Sequence, residues 1–238
     1  MKKIMNKKLI YLTALALSTG SAFAEPGASM VFDADEQAAL TPDAVLENLM
    51  AGNARYVAGE LTQTENLSGQ IAATVSGQYP QAIILACVDS RVPVEMVFDQ
   101  GVGDIFVARV AGNVENVDIL GSMEFAAAAA GSKLVMVLGH QSCGAVSGAC
   151  DHVQMGNLTA LLEKIEPAIQ EVEKKHPGMK RSSKNAQFVE HVVHTNVGRT
   201  VADIRRDSPV LAEMESRGKI KIVGAYYSLE DGSVSLVE

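Results

Sequence analysis

Two short stretches carry more chemistry than core packing requires. ACVDSRV places Cys87, Asp89 and Arg91 at alternate positions, and GHQSCG adds His140 and Cys143 about fifty residues later. Two thiolates and an imidazole are a ligand set that favours zinc, and a carboxylate can supply a fourth, oxygen ligand. Each residue alone has a plain explanation, since a lone buried cysteine usually behaves as a small hydrophobe. Together, C-x-D-x-R and H-x-x-C define a candidate metal site at Cys87, Asp89, His140 and Cys143. Arg91 sits two residues from Asp89 and can draw that carboxylate into a bidentate pair. A catalytic zinc keeps one position open, whereas four permanent protein ligands make a structural site. Asp89 and Arg91 therefore read as a gate on the open position.

The surrounding pattern has to bring those residues together. AIILA (82–86), DIFVARVA (104–111) and KLVMVLG (133–139) are short apolar runs of the kind buried on both faces of a parallel sheet. Thr41 caps and Pro42 opens a predicted helix that stops near Gly59. Ser122 is read as the cap of MEFAAAAAG, a helix ended by Gly131. Helices are expected at 157–175, broken near Pro167, and at 184–206, and KIKIVGAYYSL with VSLVE reads as a closing hairpin across EDG. The predicted fold is α/β: a mainly parallel four-stranded sheet with an antiparallel C-terminal edge strand, flanked by helices, with an N-terminal helical arm. Ligands of such sheets lie beyond the carboxyl ends of strands where strand order reverses. Cys87 and Asp89 follow one strand end and His140 and Cys143 another, so neighbouring strands would bring all four to one crevice.

Composition narrows the partners. Residues 1–24 run from basic MKKIMNKK through apolar LIYLTALAL to an A-x-A end at Ala22–Ala24, the pattern of a cleaved secretory signal peptide and hence of a periplasmic protein. The apolar run is too short for a membrane anchor. Residues 25–40 read as a flexible N-terminus and 41–238 as one domain. The whole chain has a formal charge of −8, and loss of the four lysines of residues 1–24 takes it to about −12. Such a surface disfavours nucleic acid and anionic lipid and leaves small molecules as partners. Three cysteines in an exported domain of this size make no disulfide framework, so at least one has another task.

At this point the sequence resembles the β-class carbonic anhydrases, whose paired hallmark C-x-D-S-R and H-x-x-C-G stands here as CVDSR at 87–91 and HQSCG at 140–144. The likeness runs from about Thr41 to the C-terminus and includes GQYP, FDQGVGDIFVARVAGN and GAYYSLEDG. It implies one Zn2+ per subunit on Cys87, His140 and Cys143, with Asp89 either on the metal or paired with Arg91. It implies Gln78 as a substrate hydrogen-bond donor, Phe106 as a pocket wall, Phe125 in place of a pocket tyrosine, and a homodimer or homotetramer. The implied reaction is reversible hydration of carbon dioxide to bicarbonate and a proton, with zinc-bound hydroxide as nucleophile. Two thiolates cancel the charge of the ion, so activity should rise with pH on the alkaline side of neutrality. A regulatory pocket built on tryptophan in some relatives has Ile84 at that position, and the chain contains no tryptophan. Two alternatives share the ligand set: hydrolysis of carbon disulfide or carbonyl sulfide, and zinc binding without catalysis.

Four further residues have bland readings. Cys150, seven residues after Cys143, reads as a buried thiol. His191 and His194 lie three apart on a predicted helix without an evident third ligand, and a catalytic zinc takes three. His152 is a proton shuttle only if it faces the crevice.

Overall fold

The computed structural model describes residues 31–237; the signal segment expected at 1–24 lies outside them. The sheet has five strands: β1 (Ala82–Ala86), β2 (Ile105–Arg109), β3 (Leu134–His140), β4 (Lys221–Tyr227) and β5 (Val234–Val237). Their order is β2-β1-β3-β4-β5, the first four parallel and β5 antiparallel to β4. This is the predicted parallel sheet with its antiparallel edge. The chain passes from β1 to β2 on one side and then to β3 on the other. The reversal of strand order therefore falls between β1 and β3.

Burial on both faces follows from the period-two alternation of strand side chains. Ile84, Ala86 and Met136 pack with Val45 and Leu49 of helix α2 (Pro42–Ala58) and with Phe98. Ile83, Leu85, Val135 and Val137 face Leu120 and Met123 of α5 (Val117–Glu124) and Val197, Val201 and Ile204 of α9 (Ala186–Asp207). Gly139 lets α9 approach β3, because a Cβ there would lie 2.5 Å from Val197 Cγ2. The remaining helices are α1 (Ala34–Ala39), α3 (Leu67–Thr74), α4 (Val94–Val97), α6 (Gly144–Cys150), α7 (Gly156–Glu163), α8 (Glu166–Lys175) and α10 (Pro209–Ser216). The α7–α8 break comes just before Pro167, which sits in the first turn of α8 where its missing N–H costs nothing.

Two expectations need correction. The segment 25–40 is not loose throughout: α1 carries a capping box in which Asp33 accepts from Glu36 N–H and Glu36 accepts from Asp33 N–H. Gln37 of α1 is buried and donates to Pro80 O at 2.8 Å and Ala130 O at 2.9 Å. The second concerns Ser122, which does not start a helix. Asn116 caps α5 by accepting from Asp118 N and Ile119 N, both at 3.0 Å, and Ser122 Oγ donates back to Asp118 O within that helix. The alanine run then widens into a π-helical turn, Phe125–Ala129, before Gly131 ends it at φ 82°.

Candidate metal centre

β1 and β3 run side by side with Ala86 level with Leu138, so Cys87 leaves β1 one step beyond and His140 closes β3 close to it. The chain turns through Ser142, at φ 53°, into Cys143, the N-cap of α6. This turn returns the second cysteine to the histidine. Gln141 anchors it to the β4–β5 hairpin, its N–H donating to Tyr227 O and its Oε1 accepting from Leu229 N. Cys87 Sγ and Cys143 Sγ lie 3.9 Å apart, and one ligand atom from each of Cys87, His140 and Cys143 lies within 4.8 Å of the others. All three residues are buried, His140 completely.

The donor set is poised for a cation. His140 Nδ1 is 2.9 Å from Gln141 O. A carbonyl only accepts, so Nδ1 carries the proton and Nε2 presents its lone pair. That Nε2 is buried without a hydrogen-bond partner, which is costly unless something else binds it. The neighbouring Cys143 thiol and the N–H groups of Gly112 and Asp89 pull the Cys87 thiol well below its ordinary range against the opposing effect of burial. Cys143 is pushed the other way by the adjacent Cys87 sulfur and by burial. Two adjacent buried sulfurs oppose each other's negative charge, which a bound cation would relieve.

Asp89 stands beside this group, turned to Arg91. Arg91 Nε donates to Asp89 Oδ1 at 2.9 Å and Nη2 to Oδ2 at 2.8 Å, while Oδ2 is 3.9 Å from His140 Nε2. Of the two positions open to the carboxylate, the structure shows the paired one. The Arg91 guanidinium holds the Asp89 carboxyl at about 2, so it stays ionised at any ordinary pH. Sequence reasoning missed Arg109, level with Ala86 across the β1–β2 pair. Its Nε donates to Cys87 O at 2.9 Å and its Nη2 to Asp89 O at 2.6 Å. The signal was a charged residue closing an otherwise apolar strand.

The other predicted residues lie elsewhere. Gln78 is exposed in a cleft of about 430 Å³ lined also by Thr74, Val75, Val102 and Gly103, none of them a member of the Cys–His–Cys group. Phe106 and Phe125 form a pair with ring centroids 6.0 Å apart, and Phe125 is exposed. Cys150 is a buried thiol pushed up to about 11 by burial. His152, beyond the far end of α6 from Cys143, accepts at Nδ1 from Arg181 Nη2. His191 stacks on His176 and His194 on Tyr226. Among the described residues, the Cys87, His140 and Cys143 group alone brings three metal-competent side chains together. No helix there is long and apolar enough to cross a membrane.

Comparison with known proteins agrees with this geometry. The carbonic anhydrase family matches over residues 82–234. The chain is 36% identical over 200 residues to carbonic anhydrase 2 of Mycobacterium tuberculosis, covering 82% of this chain and 92% of that one. A carbonic anhydrase of Mycolicibacterium smegmatis is also 36% identical over 200 residues, covering 82% of this chain and 93% of that one. In fold, the chain is similar to a β-carbonic anhydrase of Aspergillus fumigatus with a TM-score of 0.65 at 23% identity, over 81% of this chain and 90% of the other. A tetrameric β-carbonic anhydrase of Sordaria macrospora aligns with a TM-score of 0.64 at 19% identity, over 81% of this chain and 96% of its own. A buried Cys–His–Cys cluster at the strand-order reversal, in a sequence with this likeness over most of its length, marks the chain as an enzyme of the carbonic anhydrase family, β class.

Proposed function

We propose that the protein catalyses the reversible hydration of carbon dioxide to bicarbonate, with one Zn2+ held by Cys87, His140 and Cys143. The observation that carries this is the unpartnered, buried Nε2 of His140 facing two cysteine sulfurs, a donor set matched to zinc. When bound there, zinc supplies the Lewis acidity that makes water a nucleophile near neutral pH. The chain's own residues do the rest. Arg91 keeps the Asp89 carboxylate off the metal position, and the ionised Oδ2 orients water or takes its proton. Arg109 fixes the Cys87–Asp89 turn by its carbonyls, and the Gln141 carbonyl fixes the His140 ring. Gln78 is assigned as a hydrogen-bond donor to substrate oxygen, and Phe106 and Phe125 as apolar walls suited to a linear apolar triatomic.

Gln78 and Phe125 are exposed in the single chain, as are Val75 and Val117, which are 83% and 80% accessible. Among the described residues, the outer edge of β2 is unpaired. These features support a second copy of the chain as a cover for exposed apolar residues and a free strand edge. The pattern of residues 1–24 supports export to the periplasm. Mass spectrometry of the secreted form should find Glu25 as its first residue.

The test is stopped-flow carbon dioxide hydration by the mature protein with its zinc content determined. Hydration at about one zinc per chain supports the proposal. Full zinc occupancy without hydration, with turnover of carbonyl sulfide or carbon disulfide, would replace it, and full occupancy with neither would mark a zinc-binding protein.

A further inference from the structure

We infer that Asn196 is a positioning residue for the Cys87 sulfur, acting through Gly112. The inference rests on Cys87 being a metal ligand. Gly112 N–H donates to Cys87 Sγ at 3.3 Å, and Gly112 O accepts from Asn196 Nδ2 at 2.8 Å, both within the buried interior. Asn196 comes from α9, 84 residues further along the chain.

Gly112 needs an outside anchor. It sits at φ 75° and ψ 13° in the short turn after β2, a left-handed conformation that only glycine holds without strain. A side chain is excluded as well, since a Cβ would lie 2.8 Å from Ile165 Cδ1 and 3.3 Å from Ala145 Cβ. With no side chain and no ladder partner, the aim of its N–H depends on what fixes the adjoining peptide. Asn196 does so. It is 4% exposed among Val192, Val193 and Val197, so its desolvated amide depends on the bond it donates to Gly112.

An N–H bond to a ligand sulfur draws electron density from it and adjusts how strongly it donates to a metal, and such outer contacts commonly matter about 10- to 100-fold in metal affinity. Asn196 therefore tunes the metal through the sulfur without touching either the metal or substrate.

The experiment loads the full mature protein with Co2+ and records the sulfur-to-cobalt charge-transfer band together with retention against a chelator. In Asn196→Leu and the near-isosteric Asn196→Asp the band moves to longer wavelength and affinity falls about 10-fold. In Val192→Ala, a core truncation on the same helix, thermal stability falls while the band stays in place. A band and affinity equal to the parent's in either folded Asn196 variant would overturn the inference, as would an equal shift in Val192→Ala. Failure of the parent to bind Co2+ would instead remove the metal reading and this inference with it.

Discussion

Among the described residues, two regions are rich in metal-competent side chains, and one of them brings three donor atoms together as an ion would require. At the ends of β1 and β3, Cys87 from one segment and His140 with Cys143 from the other present donor atoms to a common point in the interior. Around α8 and α9, three histidines are spent on stacking: His176 on His191 with ring centroids 4.3 Å apart, and His194 on Tyr226 at 4.4 Å. Nearly parallel rings turn their faces toward each other rather than their lone pairs toward an ion. The neighbouring carboxylate, Glu190, lies 3.7 Å from His194. Spacing along a helix is thus a weak guide to a site, whereas donors converging from strand ends, with one nitrogen buried and unpartnered, form a strong one.

The contrast can be broken most severely at the first cluster. His140→Ala or Cys143→Ser should reduce bound zinc from one per chain to near none and bring hydration to the background rate, as read by metal analysis beside stopped flow; full zinc in either variant would break the contrast. Asp89→Ala should retain zinc and lose on the order of 10²-fold in rate, the scale of a lost proton-transfer or orienting group. Arg91→Ala should lose activity too, because the unpaired carboxylate is free to occupy the metal position.

Asp104, away from both clusters, sharpens the picture through stability. Burial pushes its carboxyl up to about 6 from 3.8, and one of its oxygens has no partner. A group raised in the folded state stabilises at low pH, and that contribution is lost as pH rises through its folded value. Stability should therefore fall between about pH 4 and 6 by on the order of 2 kcal/mol, and Asp104→Asn should flatten this slope in denaturant titrations.

The smallest effect belongs to the histidine stack. His191 titrates below its ordinary range because burial, then His176 and His194, oppose its charge. Its contribution to stability is present above about pH 6.5 and is lost as pH falls. His191→Phe should reduce this acid sensitivity while leaving zinc content and hydration unchanged. A drop in zinc would show that the second cluster also binds metal.

Much of this was legible in the sequence because it depends on local pattern. The apolar runs at β1 and β3, the closing hairpin and the paired cysteine motifs locate the crevice and its metal-competent side chains before any coordinates. The helix around Gln37 has a sequence signal in the Asp33–Glu36 capping box, a two-residue pattern within a segment that otherwise reads as flexible. Ser122 is a capping residue type that lies inside a helix started by Asn116, and the extended backbone at Asn116 sets that boundary. Gln141 and Asn196 were illegible for another reason. Each acts on backbone groups distant in sequence, as with Asn196 on Gly112, and no spacing rule encodes a bond whose partner is a carbonyl set by tertiary packing.

The most direct test of the account strips the mature protein of metal and restores one equivalent of Zn2+, following carbon dioxide hydration throughout. The account predicts a background rate in the stripped protein and full return at one zinc per chain. An undiminished rate without metal, or none with the site filled, would contradict it.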